Sequence, residues 1–292
     1  MNSLRPKNRV LIFMLLPGIL IFTFAVILPL FMSIRYSFYQ WSGGPNMNFI
    51  GLKNYLRLFN DRYFWHSFKN NLVIVLLSII GQVGIGFILA SLINSNILKF
   101  KKIHRTVIFF PVVLSAVVIG FLWTMIYSRQ YGLLNWLLTT LNLESLIKYW
   151  LDDPKIVLYT VTAPLIWQYI GLYLVIFLSA MQGIPRDIYE VAEIDGATGI
   201  KKAFHITLPL LKNTFLVAIM LCIAGNMKVF DHIYVMTGGG PGRSSTVMAQ
   251  YAYNTSFSMF KMGYGSAISM GIFILSLSLI LLSRKLLGGQ DN

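Results

Sequence analysis

Charge is what this sequence has least of. Of its 292 residues only 12% are Asp, Glu, Lys or Arg, about half the roughly 25% usual in soluble domains, so a single water-soluble domain is nearly excluded. Cysteine is scarcer still: the lone Cys222 allows no intrachain disulfide and no thiol-rich metal site. Acidic residues number 10 against 24 Lys and Arg, leaving a net charge of +14. In a soluble chain that excess would suggest nucleic acid. In a chain that is 56% hydrophobic it points to a membrane surface, and no nucleic-acid partner is expected.

Catalytic signatures are missing as well. No G-x-x-x-x-G-K-[ST] string is present to cradle nucleotide phosphates. The richest glycine run, Gly238-Gly239-Gly240-Pro241, has no Lys-Ser or Lys-Thr after it and reads as a turn. His66, His104, His205 and His232 fall in four separate segments without metal spacing, so no metal ligand is assigned. Asp152-Asp153 stand before Pro154, where a solvated turn accounts for them, and no G-x-S-x-G elbow exists. No catalytic residue and no cofactor of the chain's own is expected.

What is present is long apolar sequence. A bilayer core about 30 Å thick needs about 20 helical residues, and six stretches qualify or nearly do: Val10 to Ile34, Leu72 to Ile93, Thr106 to Tyr127, Ile156 to Met181, Leu210 to Met236 and Met262 to Ser283. The first is too long for a signal-peptide core and is read as a retained span, with Pro17 and Pro29 as points of bending. Lys228, Asp231 and His232 interrupt the fifth. Alternating segments of about 10 residues, the mark of a membrane β-barrel, are absent. The expected fold is therefore all-α: one polytopic membrane domain over residues 1–292 with six transmembrane helices.

Six spans put both termini on one side. The tail (Arg5, Lys7, Arg9), the loop at Lys99 to Arg105, the loop after Met181 and the C-terminal Arg284-Lys285 carry more Lys and Arg than the longer loops opposite. That difference favours both termini in the cytoplasm of a multi-pass cytoplasmic-membrane protein. Leu133 to Leu143 is apolar but too short to cross, which suggests an interfacial or re-entrant helix on the outer side. Gly43-Gly44-Pro45-Asn46 marks an outer turn beside an aromatic belt, and Gly81, Gly84 and Gly86 suit close helix packing within the second span.

One inner loop mixes its charges evenly. Pro185, Asp187 and Glu190 give helix-start signals with acids at the positive end of the dipole, and Gly196 can close the helix in a left-handed cap. A second short helix is expected from Thr198 to Thr207, stopping near Pro209. Helices below about 12 to 15 residues are marginal alone, so this hairpin over 183–209 needs a surface, either its own membrane domain or a partner.

The string Glu190-Val191-Ala192, with Gly196 and then Ile206, Leu208 and Pro209 at fixed spacing, resembles the E-A-A loop of binding-protein-dependent ABC importer permeases. Val191 departs from that pattern, which has alanine there. Phe49-Ile50-Gly51-Leu52-Lys53-Asn54-Tyr55 with Phe64-Trp65, and Thr237 to Pro241 with Ser245-Thr246, are similar to the carbohydrate, maltose-type branch. The resemblance implies a type I importer permease fold in which the loop is a cytoplasmic coupling hairpin. It implies a second homologous permease subunit, two ATP-binding subunits that use ATP and Mg, an extracytoplasmic solute-binding protein and a sugar, all within membrane lipid. Asp187, Glu190, Ala192, Glu193, Asp195, Gly196 and Ala197 would meet the ATPase.

In the fourth span the aromatic and amide groups of Gln168, Tyr169 and Tyr173 suit a neutral carbohydrate, or else ordinary packing between helices. Placed on the maltose-type group, Gln168, Tyr169 and Leu172 fall at sugar-lining positions, as do Cys222, Gly225, Asn226 and Val229 of the fifth span, spaced i, i+3, i+4, i+7. Lys228 and Asp231 are close enough to pair on one helix at the outer edge. The expected function is import of a sugar, an oligosaccharide by preference, with a glycerol phosphate or polyol derivative as the near alternative. An ion-coupled secondary transporter is the distant one, since Asp231 is the sole acid within a span.

Overall fold

A computed structural model describes residues 8–95, 98–194, 196–197 and 199–287. In chain order the elements are α1 (Arg9–Ser37), β1 (Tyr39–Trp41), β2 (Met47–Phe49), α2 (Lys53–Phe59), α3 (Arg62–Asn94), α4 (Lys101–Val113), α5 (Ala116–Ile126) and α6 (Leu133–Thr140). There follow α7 (Val157–Gln182), α8 (Arg186–Ile194), α9 (199–210), α10 (Lys212–Met227), α11 (Asp231–Thr237), α12 (Met248–Tyr253) and α13 (Met262–Leu287). Four helices, α1, α3, α7 and α13, are each long and apolar enough to cross a membrane. Two bent pairs, α4 with α5 at 99° and 203–210 of α9 with α10 at 75°, bring the number to six if each pair is one span.

The chain divides into two compact units, Met1–Asp61 with Ala252–Gly271, and Arg62–Tyr251 with Ile272–Asn292. In the first, a π-helical turn at Thr23–Ile27 lies just before Pro29, which sits in the first turn of the next helical stretch, where its missing N–H is tolerated. A two-stranded hairpin, which the all-helical expectation did not include, pairs Tyr39 with Phe49 and Trp41 with Met47. Its turn uses Gly43 at φ +95, and the Trp41 indole donates to the Gly44 carbonyl at 2.7 Å. The Asn54 amide donates to the carbonyls of Ser37 and Tyr39 at 2.8 and 3.0 Å, anchoring α2 to the hairpin. Tyr264 donates to Asp61, and the Arg57 guanidinium lies 4.2 Å from the Tyr264 ring centre.

In the second unit α7 is central. Its buried side packs against α3, α4 and α10, with Leu174, Phe177 and Met181 fully enclosed. Two glycines permit close approaches to or from α7. A Cβ at Gly86 would lie 2.8 Å from that of Tyr173, and one at Gly171 would lie 2.6 Å from Phe109 Cα. The second obstacle is backbone, which cannot rotate away, so Gly171→Ala is expected to push α4 off α7. Overpacking of this kind costs about 1–3 kcal/mol, and a lowered thermal midpoint of the detergent-purified chain would register it.

Pro164 lies inside α7 without breaking it. A proline leaves the carbonyl four residues earlier unpaired, here that of Thr160. The Tyr127 hydroxyl donates to it at 3.3 Å. The third apolar stretch is different: it breaks at Leu114 and Ser115, both extended, and the freed Leu114 carbonyl accepts the Gln168 amide at 3.0 Å. In each case a side chain of a neighbouring helix supplies the donor that lipid cannot.

Candidate functional site

A chain of neutral polar side chains runs through the second unit. From α3, spaced along one face, come Asn71, Ser78 and Gln82, with Gln82 on a π-helical turn at Ile79–Gly84. Such turns inside helices occur often at functional sites. The Ser78 hydroxyl donates to Asn226 Oδ1 at 3.1 Å, and Gln82 Nε2 donates to the Leu165 carbonyl at 3.3 Å. Cys222 donates through Sγ to Gln82 Oε1 at 3.7 Å, and Asn226 Nδ2 donates to the Cys222 carbonyl at 2.8 Å. The Asn71 amide donates to the carbonyls of Asn226 and Met227, and its oxygen accepts the Met248 N–H. Asn70 caps the turn after α11 by donating to the carbonyls of Ser244 and Thr246.

Gln168 joins a second helix set. Its amide nitrogen is committed to Leu114, so its oxygen is the atom that faces His232 Nε2 at 2.7 Å. That contact requires the proton on Nε2.

Among the eight sugar-lining candidates, then, Gln168, Tyr173, Cys222, Asn226 and Val229 are buried by their own chain, and Gln168, Cys222 and Asn226 spend their polar groups on neighbouring helices. Tyr169 and Leu172 are half-buried and Gly225 is exposed. The positions 222, 225, 226 and 229 do not form one open face. On α10 the exposed line is Val217, Leu221 and Gly225, and Val229 lies beyond the helix end at Met227. Lys228 and Asp231 likewise do not share a helix, because α10 stops before the first and α11 begins at the second. Both are exposed.

The sequence reading passed over Asn70, Asn71, Ser78, Gln82 and the partner role of His232. A signal existed: Asn71, Ser78 and Gln82 recur at seven and eleven residues along one face, and between Leu72 and Ala90 Ser78 and Gln82 are the polar side chains.

The hairpin forms at the other end of α7. α8 starts after Pro185 with Asp187 in its first turn, and Gly196 takes φ +77 beyond its end. The Ala197 N–H reaches back to the Ala192 carbonyl at 2.8 Å, the bond of a left-handed glycine cap. The Lys202 ammonium lies 5.3 Å from the Tyr189 ring centre, tying α9 to α8. Asp187, Ile188, Glu190, Val191 and Gly196 are exposed, Ala197 is half-buried and Ala192 faces inward. Glu193 lies on α8; Asp195 and Thr198 fall outside the described residues. The second helix ends at Leu210, one residue past Pro209, so it does stop near that proline. A π-helical turn at Ala203–Thr207 precedes the proline and leaves it in a first turn.

Broken apolar helices around a neutral polar seam, with a capped hairpin at one end of α7, describe a membrane transport subunit, and no cluster of His, Cys, Asp or Glu that could hold a metal occurs among the described residues. Residues 82–284 match the family described as binding-protein-dependent transport system inner membrane component, and the chain belongs to that family. It is 37% identical over 281 residues to the "Probable ABC transporter permease protein YurN" of Bacillus subtilis, covering 96% of each chain. It is 34% identical to the trehalose/maltose transport system permease protein MalF of Thermococcus litoralis, over 82% of this chain and 80% of that one. The fold matches a chain in the crystal structure of a bacterial ABC transporter that imports the acidic polysaccharide alginate. That match has a TM-score of 0.84 at 24% identity and covers 98% of this chain and 97% of the other.

Proposed function

We propose that this permease forms one half of the pathway of an ATP-driven importer of a neutral oligosaccharide, and that α8 and α9 carry the force. The observation that supports this reading most is the ridge Asp187, Ile188, Glu190 and Val191, exposed on a helix whose end is fixed by the Gly196 cap. The sequence contains no phosphate loop of its own. ATP and Mg are used by two separate ATP-binding subunits that grip this ridge. A second permease completes the pathway, a solute-binding protein delivers the sugar at the far face, and both termini lie on the ATPase side. Nucleotide-driven closure moves the hairpin between two positions and the spans follow, provided the contacts differ between the two states.

The cargo is inferred from the relative that transports trehalose and maltose and from the uncharged seam. Tyr169, Leu172 and Gly225 are the residues left open to touch a sugar, and the buried Gln168, Tyr173, Cys222, Asn226 and Val229 position them. A Cβ at Gly225 would meet no atom within 4 Å, so Gly225→Leu should fold normally and occupy the space a ligand needs. An apparent KM raised about tenfold, equivalent to about 1.4 kcal/mol, is expected in uptake by proteoliposomes carrying the full importer. An unchanged KM would remove α10 from the sugar path. Uptake driven by an ion gradient without ATP would overturn the energy source.

A further inference from the structure

Between α5 and α7 the chain builds a small platform with one side finished and the other open. On the finished side, Asn135 is buried: its amide nitrogen donates to the Arg129 carbonyl at 3.2 Å and its oxygen accepts the Trp150 indole N–H at 2.7 Å. Leu134 and Trp150 pack on the cluster of Tyr127, Val157 and Val161. On the open side, Leu133, Trp136 and Leu137 follow the i, i+3, i+4 rule, with Leu141 just beyond the helix. They are 57%, 62%, 44% and 57% exposed. Tyr131 and Tyr149 flank them, also exposed.

We propose that α6 lies in the membrane–water boundary and buries this face in the lipid leaflet on the side opposite the coupling hairpin. Three observations select lipid as the occupant. First, α6 joins the ends of α5 and α7 that are remote from α8, since α7 has 26 residues and the hairpin follows its other end; at 1.5 Å per residue that separation is about 39 Å. Eight residues of helix cannot cross the bilayer, so α6 has to rest at its surface. Second, α5, the helix that leads into it, is itself apolar and exposed at Val118, Phe121, Leu122 and Met125. Third, the segment 127–156 is electrically balanced, with Arg129, Lys148 and Lys155 against Glu144, Asp152 and Asp153. Attraction to it is therefore apolar, with the Trp and Tyr composition of a membrane boundary. A protein that docks only during delivery of solute would leave four large apolar side chains in water for the rest of the cycle.

Single cysteines at Trp136→Cys and Leu137→Cys, with Glu144→Cys as the polar control, test this in the full chain reconstituted into phosphatidylcholine vesicles. Cys222 is fully buried, so an environment-sensitive thiol label goes to the introduced site. Labels at 136 and 137 are expected to lose quenching by aqueous iodide and to be quenched by nitroxide carried on the upper acyl chain. The label at 144 behaves in reverse, and added phosphatidylglycerol changes neither. Iodide quenching at 136 and 137 equal to that at 144 overturns the proposal. So does protection that appears only after the solute-binding protein is added, which would assign the face to that protein. Because the label position is read without transport, the outcome does not depend on the sugar assignment.

Discussion

Gly196→Val is expected to stop ATP-driven uptake while leaving the permease in the membrane at its usual level. Gly196 stands at φ +77, where an L-residue costs about 1–2 kcal/mol and a β-branched one fits worst. An added Cβ would touch nothing within 4 Å, so no clash spreads into the spans. The penalty falls on the turn that sets the angle between α8 and α9, because the Ala197 to Ala192 bond forms only around a left-handed residue. Asparagine tolerates that conformation, so Gly196→Asn should keep much of the activity. Uptake in proteoliposomes and co-purification of the ATPase read the two variants. Uptake by Gly196→Val at the normal rate would defeat the coupling role of the hairpin.

Asn71→Leu should damage the fold itself. Asn71 is fully buried and serves three backbone groups: it donates to the carbonyls of Asn226 and Met227 at 3.0 and 3.3 Å, and accepts from the Met248 N–H at 2.9 Å. The Asn226 carbonyl also accepts the N–H groups of Lys228 and Val229, so the Met227 carbonyl and the Met248 N–H are the groups that depend most on Asn71. Leucine fills similar space and satisfies none of them. An orphaned buried group costs about 1–3 kcal/mol, so the loss is a large share of a typical net stability of about 5–15 kcal/mol. Asn71→Asp keeps the acceptor for Met248 but turns a buried carboxylate toward the Asn226 and Met227 carbonyls, and an unpaired buried charge costs more than a lost hydrogen bond, so it should survive no better than leucine. Heating the detergent-solubilised chain and measuring what still elutes as a single species gives the order. Equal survival of all three would mean that the carbonyls find other donors.

The parts of this molecule that were legible in the sequence are those with a local chemical cause. Long apolar runs announce membrane helices because backbone groups in lipid must be paired within the segment. The Gly196 cap could be read from one glycine after a short charged helix, since few other residues take that backbone conformation. Of the two bends, the one at Leu211 follows Pro209, where the sequence already places a stop. The other was not legible: Leu114-Ser115 carry no breaker of their own, and their distortion depends on what a neighbouring helix offers, the Gln168 amide aimed at the Leu114 carbonyl. Pro164 shows the converse, a breaker that does not break because Tyr127 lies beside it. Gln168 and Asn226 stood out as polar groups within spans, and what the sequence could not give was their partners, which turn them toward neighbouring helices.

The repaired proline has a mechanical corollary. With its vacant rung filled from the adjoining helix, the 26-residue fourth segment behaves as one strut. The segments bent at 99° and 75° have joints where the main chain already departs from helix. A thrust delivered near Gln182 is therefore transmitted along the strut to Val157, and the strain it creates is absorbed at those two elbows. Removing the Tyr127 hydroxyl would add a third joint, near the Val157 end of the strut.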